Sequence, residues 1–341
     1  MADEPAGPVL EVTDLHASFV TESGVVEAVR GVSFELDRGE VLGIVGESGC
    51  GKSVTAMSLT GLNRSDPNAR LSGSVRFRGR ELLTLGEREL RRVRGAQIAM
   101  VFQDPMTSLN PVHRVGSLIA ETLRAHLTIS RGAADLRAIE LLREVGIPEP
   151  ERRARDYPHQ FSGGMRQRVM IAMALACEPA VLVADEPTTA LDVTIQAQIL
   201  RLIVRMRESH GAAVVLITHD LGVVARLADR VAVMYAGGIV EQGRVRDLFH
   251  HPQHPYTWGL LESIPRIDRA RVERLHSIAG QPPSLIGLGE GCAFRARCAF
   301  AHARCEETPP LVQRAGEPGH VDACWLDPAV KQQRGAHAAA S

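Results

Sequence analysis

The stretch Val41-Leu42-Gly43-Ile44-Val45-Gly46-Glu47-Ser48-Gly49-Cys50-Gly51-Lys52-Ser53 decides the fold. A short continuous apolar run ending at glycine reads as a strand buried on both faces. The glycines that follow let successive backbone N–H groups curl around an anion, and residues 53–62 read as a helix whose partly positive N-terminus faces the same point. Lys52 adds a point charge, Ser53 offers a hydroxyl suited to magnesium, and Val54 stands directly behind them. Gly46, Ser48, Gly49, Cys50, Gly51, Lys52, Ser53 and Val54 are therefore the expected binding residues for the phosphates of a nucleotide. At Cys50 the backbone is expected to matter more than the thiol.

Such a site also needs an acidic group at the end of a second buried strand, and Val181-Leu182-Val183-Ala184-Asp185-Glu186 supplies one. Asp185 would hold Mg2+ through water, and Glu186 would polarise the attacking water as general base. Around this segment apolar strands at 181–184, 213–218 and 231–235 alternate with helical patterns at 194–209 and 221–227, the sign of a parallel α/β sheet. Further strands are expected at 9–12, 32–36 and 72–78. Residues 104–170 read as mainly helical, most clearly at 117–127 and 133–145.

The segment Phe161-Ser162-Gly163-Gly164-Met165-Arg166-Gln167-Arg168 resembles the signature of ABC ATPases. Ser162, the backbone of Gly163 and Gly164, and a following helix N-terminus make a second anion cradle. In that family the cradle closes on the γ-phosphate held by a second subunit, so that ATP joins a head-to-tail dimer. Phe161 and Met165 depart from the commoner Leu and Gln, but the Ser-Gly-Gly core is whole. The same resemblance implies roles for four more residues. Gln103 matches the glutamine that senses magnesium and the attacking water, and Asp192 the aspartate that communicates across the dimer. His219 matches the switch histidine on the γ-phosphate, although a lone histidine after a strand is ordinarily a surface or capping residue. Phe19 matches the aromatic that stacks on adenine, with a core strand position as the alternative. The implied fold is α/β: a P-loop NTPase core of ABC type with an antiparallel β subdomain and a helical signature subdomain, over residues 9–250.

ABC ATPases also serve DNA repair, chromosome organisation and translation. One ATPase half, an uninterrupted path from phosphate loop to signature, and no apolar run near the roughly 18 residues of a membrane span look instead like an importer whose permeases are separate chains. The segments Gln103-Asp104-Pro105-Met106-Thr107-Ser108-Leu109-Asn110-Pro111 and His251-Pro252-Gln253-His254-Pro255-Tyr256-Thr257 are similar to those of oligopeptide, dipeptide and nickel uptake ATPases. The implied function is ATP hydrolysis powering import of oligopeptides or dipeptides. Nickel or another small solute is the alternative within the class, and a soluble ATPase acting on nucleic acid or ribosomes the alternative outside it. The implied partners are a second ATPase subunit (a homologous chain in preference to a copy), two permeases and an extracytoplasmic solute-binding protein, at the cytoplasmic face of the membrane. A net charge of −1 over 341 residues gives no reason to expect nucleic acid.

Residues 251–328 form a small Cys-rich C-terminal extension, in which His251 and His254 are expected to be solvated linker residues. Cys292, Cys298, Cys305 and Cys324 lack the close pairs of a common zinc site. In related dipeptide-uptake ATPases such a pattern binds a [4Fe–4S] cluster, and the resemblance carries that role to these four positions. Zinc, and reduced or disulfide-linked cysteines, stay open beside it. Cys177 is expected in packed core. The Ala- and His-rich residues 329–341 are expected to be disordered.

Overall fold

A computed structural model describes residues 7–104, 108–189, 191–264, 278–313 and 318–340. Residues 105–107 of the expected glutamine-loop segment, and Ala190 before Asp192, lie outside these. Contacts divide the chain into two compact units that interleave in sequence.

The first unit comprises Met1–Leu10, Leu36–Glu40 and Phe77–Ile217. Its strands Ile98–Val101, Val181–Asp185 and Ala213–Ile217 run parallel, paired Ile98 to Val181 and Val181 to Ala213. Every residue of the last two strands is buried, which is why they read as continuous apolar runs without alternation. Helix Val115–His126 buries Val115, Leu118, Ile119 and Leu123, a stripe at helical spacing. It packs on Arg131–Glu144 and Gly163–Leu175. Ser130 caps the second of these helices by accepting from the Ala133 N–H. Helix Val193–His210 ends at Gly211, whose φ of 62° is the left-handed turn that releases the chain into the next strand.

The second unit comprises Glu11–Glu35, Val41–Arg76 and Thr218–Ser341. Strands Gly24–Leu36, Leu10–Thr21 and Ala69–Phe77 lie side by side in that order. The first two are far longer than the expected 32–36 and 9–12. In Leu10–Thr21 the period of two breaks at the exposed pair Thr13 and Asp14, where Asp14 takes φ 48°, and the side-chain pattern changes phase. Val41–Val45 runs parallel to Arg230–Tyr235, which pairs antiparallel with Gly238–Arg244. The short strands Val321–Asp322 and Val312–Gln313 then continue the same edge.

Three expectations beyond residue 250 are corrected. Among the described residues contacts continue across that point: Glu241 pairs with Asp322, and Tyr256, Leu261 and Phe294 share a core with Val45, Val233 and Tyr235. His254 is not a solvated linker residue. It is 1% exposed, accepts from the Tyr256 N–H at 3.1 Å, and donates its own backbone N–H to Glu241 at 2.9 Å. Residues 329–340 are not the disordered tail expected over 329–341, because Pro328–Ala340 is a helix packed on Val245–His250 and Pro255–Glu262; Ser341 lies outside the described residues. Its small face explains the packing: Gly335 lies so close to the Pro252 carbonyl that a Cβ there would sit 2.3 Å away. Lys331 is fully buried and donates to Asp322 Oδ2 at 2.5 Å and to the Cys324 carbonyl at 2.8 Å. Cys177 is half-buried, short of the packed core position expected for it. No helix among the described residues is long and apolar enough to cross a membrane.

Candidate functional site

In the second unit the strand Val41–Val45 delivers the chain into the glycine loop, and helix Lys52–Leu59 leaves it. Two glycines are sterically obligatory. A Cβ on Gly46 would meet the Met234 carbonyl at 2.2 Å, and one on Gly51, at φ 101°, the Ala28 carbonyl at 2.1 Å. Ser48 and Gly49 form the exposed crest, whereas Cys50 is buried with its thiol pushed up by that burial. Lys52 is 5% exposed and folds over the loop, its Nζ donating to the Gly46 carbonyl at 2.8 Å and the Glu47 carbonyl at 3.0 Å. Ser53 and Val54 follow, half-buried at the head of the helix. Thr218 hydrogen-bonds through its N–H to Ile44 in the strand that feeds the loop, and His219 next to it is exposed. Phe19 is half-buried on Leu10–Thr21.

The first unit gathers the acidic group. Asp185 ends its strand 4% exposed, and Glu186 follows 9% exposed with φ 46°, its N–H bonded to the Ile217 carbonyl. Glu186 Oε2 accepts from Gln103 Nε2 at 3.1 Å and from Thr189 Oγ1 at 2.8 Å. Sequence reasoning missed Thr189, although a hydroxyl three positions after the carboxylate was the available signal. The Ser53 hydroxyl and, in the other unit, the Asp185 carboxylate are each the kind of oxygen donor that a hard divalent cation such as Mg2+ takes.

The signature residues lie in the same unit. Ser162 caps helix Gly163–Leu175, its Oγ accepting from the Met165 N–H at 3.3 Å. A Cβ on Gly163 would meet nothing within 4 Å, while one on Gly164 would press on Ile195 at 3.2 Å. Asp192 caps Val193–His210 through the Ile195 N–H at 2.9 Å. Phe161 is 3% exposed with the Arg153 guanidinium over its ring, which makes it a core residue here.

A contact that no local signal announces reaches the phosphate loop from the C-terminal extension. Glu47 receives Arg297 Nη1 on Oε2 at 2.6 Å and Arg297 Nη2 on Oε1 at 3.0 Å, and its backbone N–H donates to the Tyr256 hydroxyl at 2.8 Å. Beside Arg297 stand the cysteines. The Cys292 N–H donates to the Cys305 carbonyl at 2.9 Å. Burial raises the thiols of Cys292 and Cys298, and that of Cys324 to about 11. Neighbouring thiols add to this, Cys305 raising Cys292, Cys292 and Cys305 raising Cys298, and Cys292 raising Cys324. No group of three or more His, Cys, Asp or Glu among the described residues is gathered closely enough to hold a metal ion.

Comparisons with known proteins give the family. A family profile described as ABC transporter matches residues 29–189, and one described as oligopeptide/dipeptide transporter, C-terminal region, matches 240–305. A probable peptide ABC transporter ATP-binding protein of Sinorhizobium fredii is 56% identical, over 93% of this chain and 94% of its own length. The oligopeptide transport ATP-binding protein of Salmonella typhimurium is 52% identical over 95% of both chains, and the dipeptide transport ATP-binding protein of Bacillus subtilis 52% over 98% of both. A dimeric ATP-binding cassette solved in a post-hydrolysis state bound to ADP and Pi superposes with a TM-score of 0.63 at 28% identity, covering 70% of this chain and 99% of that one. With a phosphate loop, a buried Asp-Glu pair and relatives matched over nearly their full length, the chain belongs to the ABC transporter family of ATP-binding subunits, in its oligopeptide/dipeptide branch.

Proposed function

We propose that the chain hydrolyses ATP to power import of oligopeptides or dipeptides through a membrane complex of two permeases, a second ATPase subunit and an extracytoplasmic solute-binding protein, and that it works peripherally at the cytoplasmic membrane face. The observation that carries the substrate class is the match of residues 240–305 to the C-terminal region of oligopeptide/dipeptide transporters, joined to relatives named for peptide transport over nearly the whole chain.

In this reading the loop amides and Lys52 bind the β- and γ-phosphates. Ser53 and Asp185 would hold Mg2+, which neutralises charge on the phosphates when bound. Glu186 orients and deprotonates water, with Gln103 and Thr189 fixing the carboxylate oxygen they both bond. Ser162, Gly163 and Gly164 serve the nucleotide of the second subunit. That Gly163 has open space for a Cβ supports this: nothing within its own fold requires a glycine there, whereas close approach of a phosphate does. His219 and Asp192 act at the γ-phosphate and across the dimer, and Phe19 at the adenine.

The test is uptake of a radiolabelled tripeptide in cells deleted for the chain. Restoration by the wild type but not by Glu186→Gln supports the proposal. Unchanged peptide uptake with lost nickel uptake replaces peptide by the alternative solute.

A second reading concerns Cys292, Cys298, Cys305 and Cys324, which we propose as ligands of a [4Fe–4S] cluster. Its support is the resemblance of this four-cysteine spacing to that of related dipeptide-uptake ATPases and a soft, all-sulfur donor set. The cluster would supply cross-linking and folding energy to a region with few regular elements.

A further inference from the structure

Glu47 is chemically out of place. It sits between Gly46 and the exposed crest Ser48–Gly49 of a loop whose amides receive polyphosphate, where a free carboxylate repels the ligand. Both its backbone and its side chain are engaged by residues from beyond position 250. The Tyr256 hydroxyl takes its N–H at 2.8 Å, and Arg297 takes both carboxylate oxygens, at 2.6 and 3.0 Å. Arg297 is itself immobilised, its side chain 5% exposed. Nε donates to the Ala279 carbonyl at 2.8 Å, Nη2 to the Ile278 carbonyl at 3.3 Å, and Nη1 to the Tyr235 hydroxyl at 3.4 Å. The guanidinium lies over the rings of Tyr235 and Phe294, which pack with Tyr256 in one aromatic cluster. A planar fork held on every nitrogen and presented bidentately to one carboxylate fixes direction as well as charge.

We propose that Arg297 is a positioning residue of the nucleotide site: the C-terminal extension neutralises Glu47 and holds the phosphate loop in its anion-binding shape. The extension thereby sets ATP affinity from within the same chain, whether or not the neighbouring cysteines carry iron. A plain structural strut would act differently. It would contribute to folding, but the charge of Glu47 would not matter to what its removal does to ATP binding.

The inference rests on the phosphate loop being the ATP site, and Lys52→Ala is the control for that. The measurement is the dissociation constant of a fluorescent ATP analogue with Mg2+ on full-length protein, taken well below the melting temperature of each variant. Arg297→Met is expected to weaken binding roughly tenfold by releasing an uncompensated carboxylate beside the phosphates. Arg297→Lys, which keeps charge without the fork, is expected to give a smaller loss and serves if the Met variant does not fold. The deciding variant is Glu47→Gln combined with Arg297→Met, expected to recover to within about threefold of wild type because the repelling charge is gone. Wild-type affinity in Arg297→Met, or a double variant that binds no better than Arg297→Met, overturns the proposal. Wild-type affinity in Lys52→Ala overturns instead the assignment of the loop, and this inference with it.

Discussion

Gln103 Nε2 donates to Glu186 Oε2 at 3.1 Å across 83 positions of sequence, and the same oxygen takes the Thr189 hydroxyl at 2.8 Å. The carboxylate that would serve as base is thus oriented by two neutral donors, and Oε1 receives neither of these bonds. Glu186→Gln keeps size and loses basicity. It is expected to bind ATP but to turn it over about a hundredfold or more slowly. Single-turnover hydrolysis beside a binding titration checks this, and turnover close to wild type would remove Glu186 from the role of base.

The glycines separate fold from function. Gly51 at φ 101° and 2.1 Å from the Ala28 carbonyl has no room for a side chain, so Gly51→Ala is expected to cost roughly 3 kcal/mol or more. Gly49→Ala has space and only the left-handed φ of 79° to overcome, about 1 kcal/mol. Gly163→Ala has both space and an ordinary φ; its stability should stay within about 0.5 kcal/mol of wild type while the ATPase activity of the assembled transporter falls. Urea melts and ATPase assays on the three variants test the order. Full activity in Gly163→Ala would show that nothing approaches that backbone closely.

How much was legible follows from sequence distance. The phosphate loop, the Asp185-Glu186 pair and the signature lie in continuous strings whose chemistry needs adjacent residues, so their local structure could be read directly. Helices Val115–His126 and Arg131–Glu144 fell within two residues of expectation because their apolar stripes are local. The strand Leu10–Thr21 was underestimated where Asp14 breaks the period. What was missed is non-local. The Arg297–Glu47 pair spans 250 positions, and the burial of His254 depends on Glu241, which also bonds His320 at 2.8 Å. The terminal helix looked disordered by composition, and only its fit to Pro252 and Asp322 orders it.

That helix gives a stability prediction. Lys331 and Asp322 are both fully buried, so removing one partner leaves an uncompensated charge in the interior. Lys331→Met is expected to cost roughly 3–5 kcal/mol, and Asp322→Asn with Lys331→Met to recover much of it. Denaturant unfolding of the full chain decides. A Lys331→Met protein as stable as wild type would mean the residue is solvated after all.

His254 gives the sign of a pH dependence. Burial lowers its pKa from 6.5 to about 4, with Asp322 opposing and Lys331 reinforcing the shift. Between these values the unfolded chain binds the proton and the folded one does not, so stability contributed by His254 is present above pH 6.5 and is lost as pH falls toward 4. The loss is about 3 kcal/mol at pH 4. His254→Asn can still cap the Tyr256 N–H. Urea midpoints at pH 7.5, 6, 5 and 4 should fall less steeply in that variant than in wild type; parallel curves would assign the acid sensitivity to other groups.

The cysteines set the last prediction. A cluster needs thiolates, yet burial raises the thiols of Cys292, Cys298 and Cys324, so without metal they are held protonated and loading must release protons. Protein purified without oxygen is expected to carry about four irons per chain and a broad absorption near roughly 400 nm. Cys292→Ser should lose both and melt at lower temperature. Colourless protein with zinc in equal proportion to chain would reassign the metal. Metal-free protein that hydrolyses ATP normally would leave the four thiols as packing residues, and the ATP site unaffected by them.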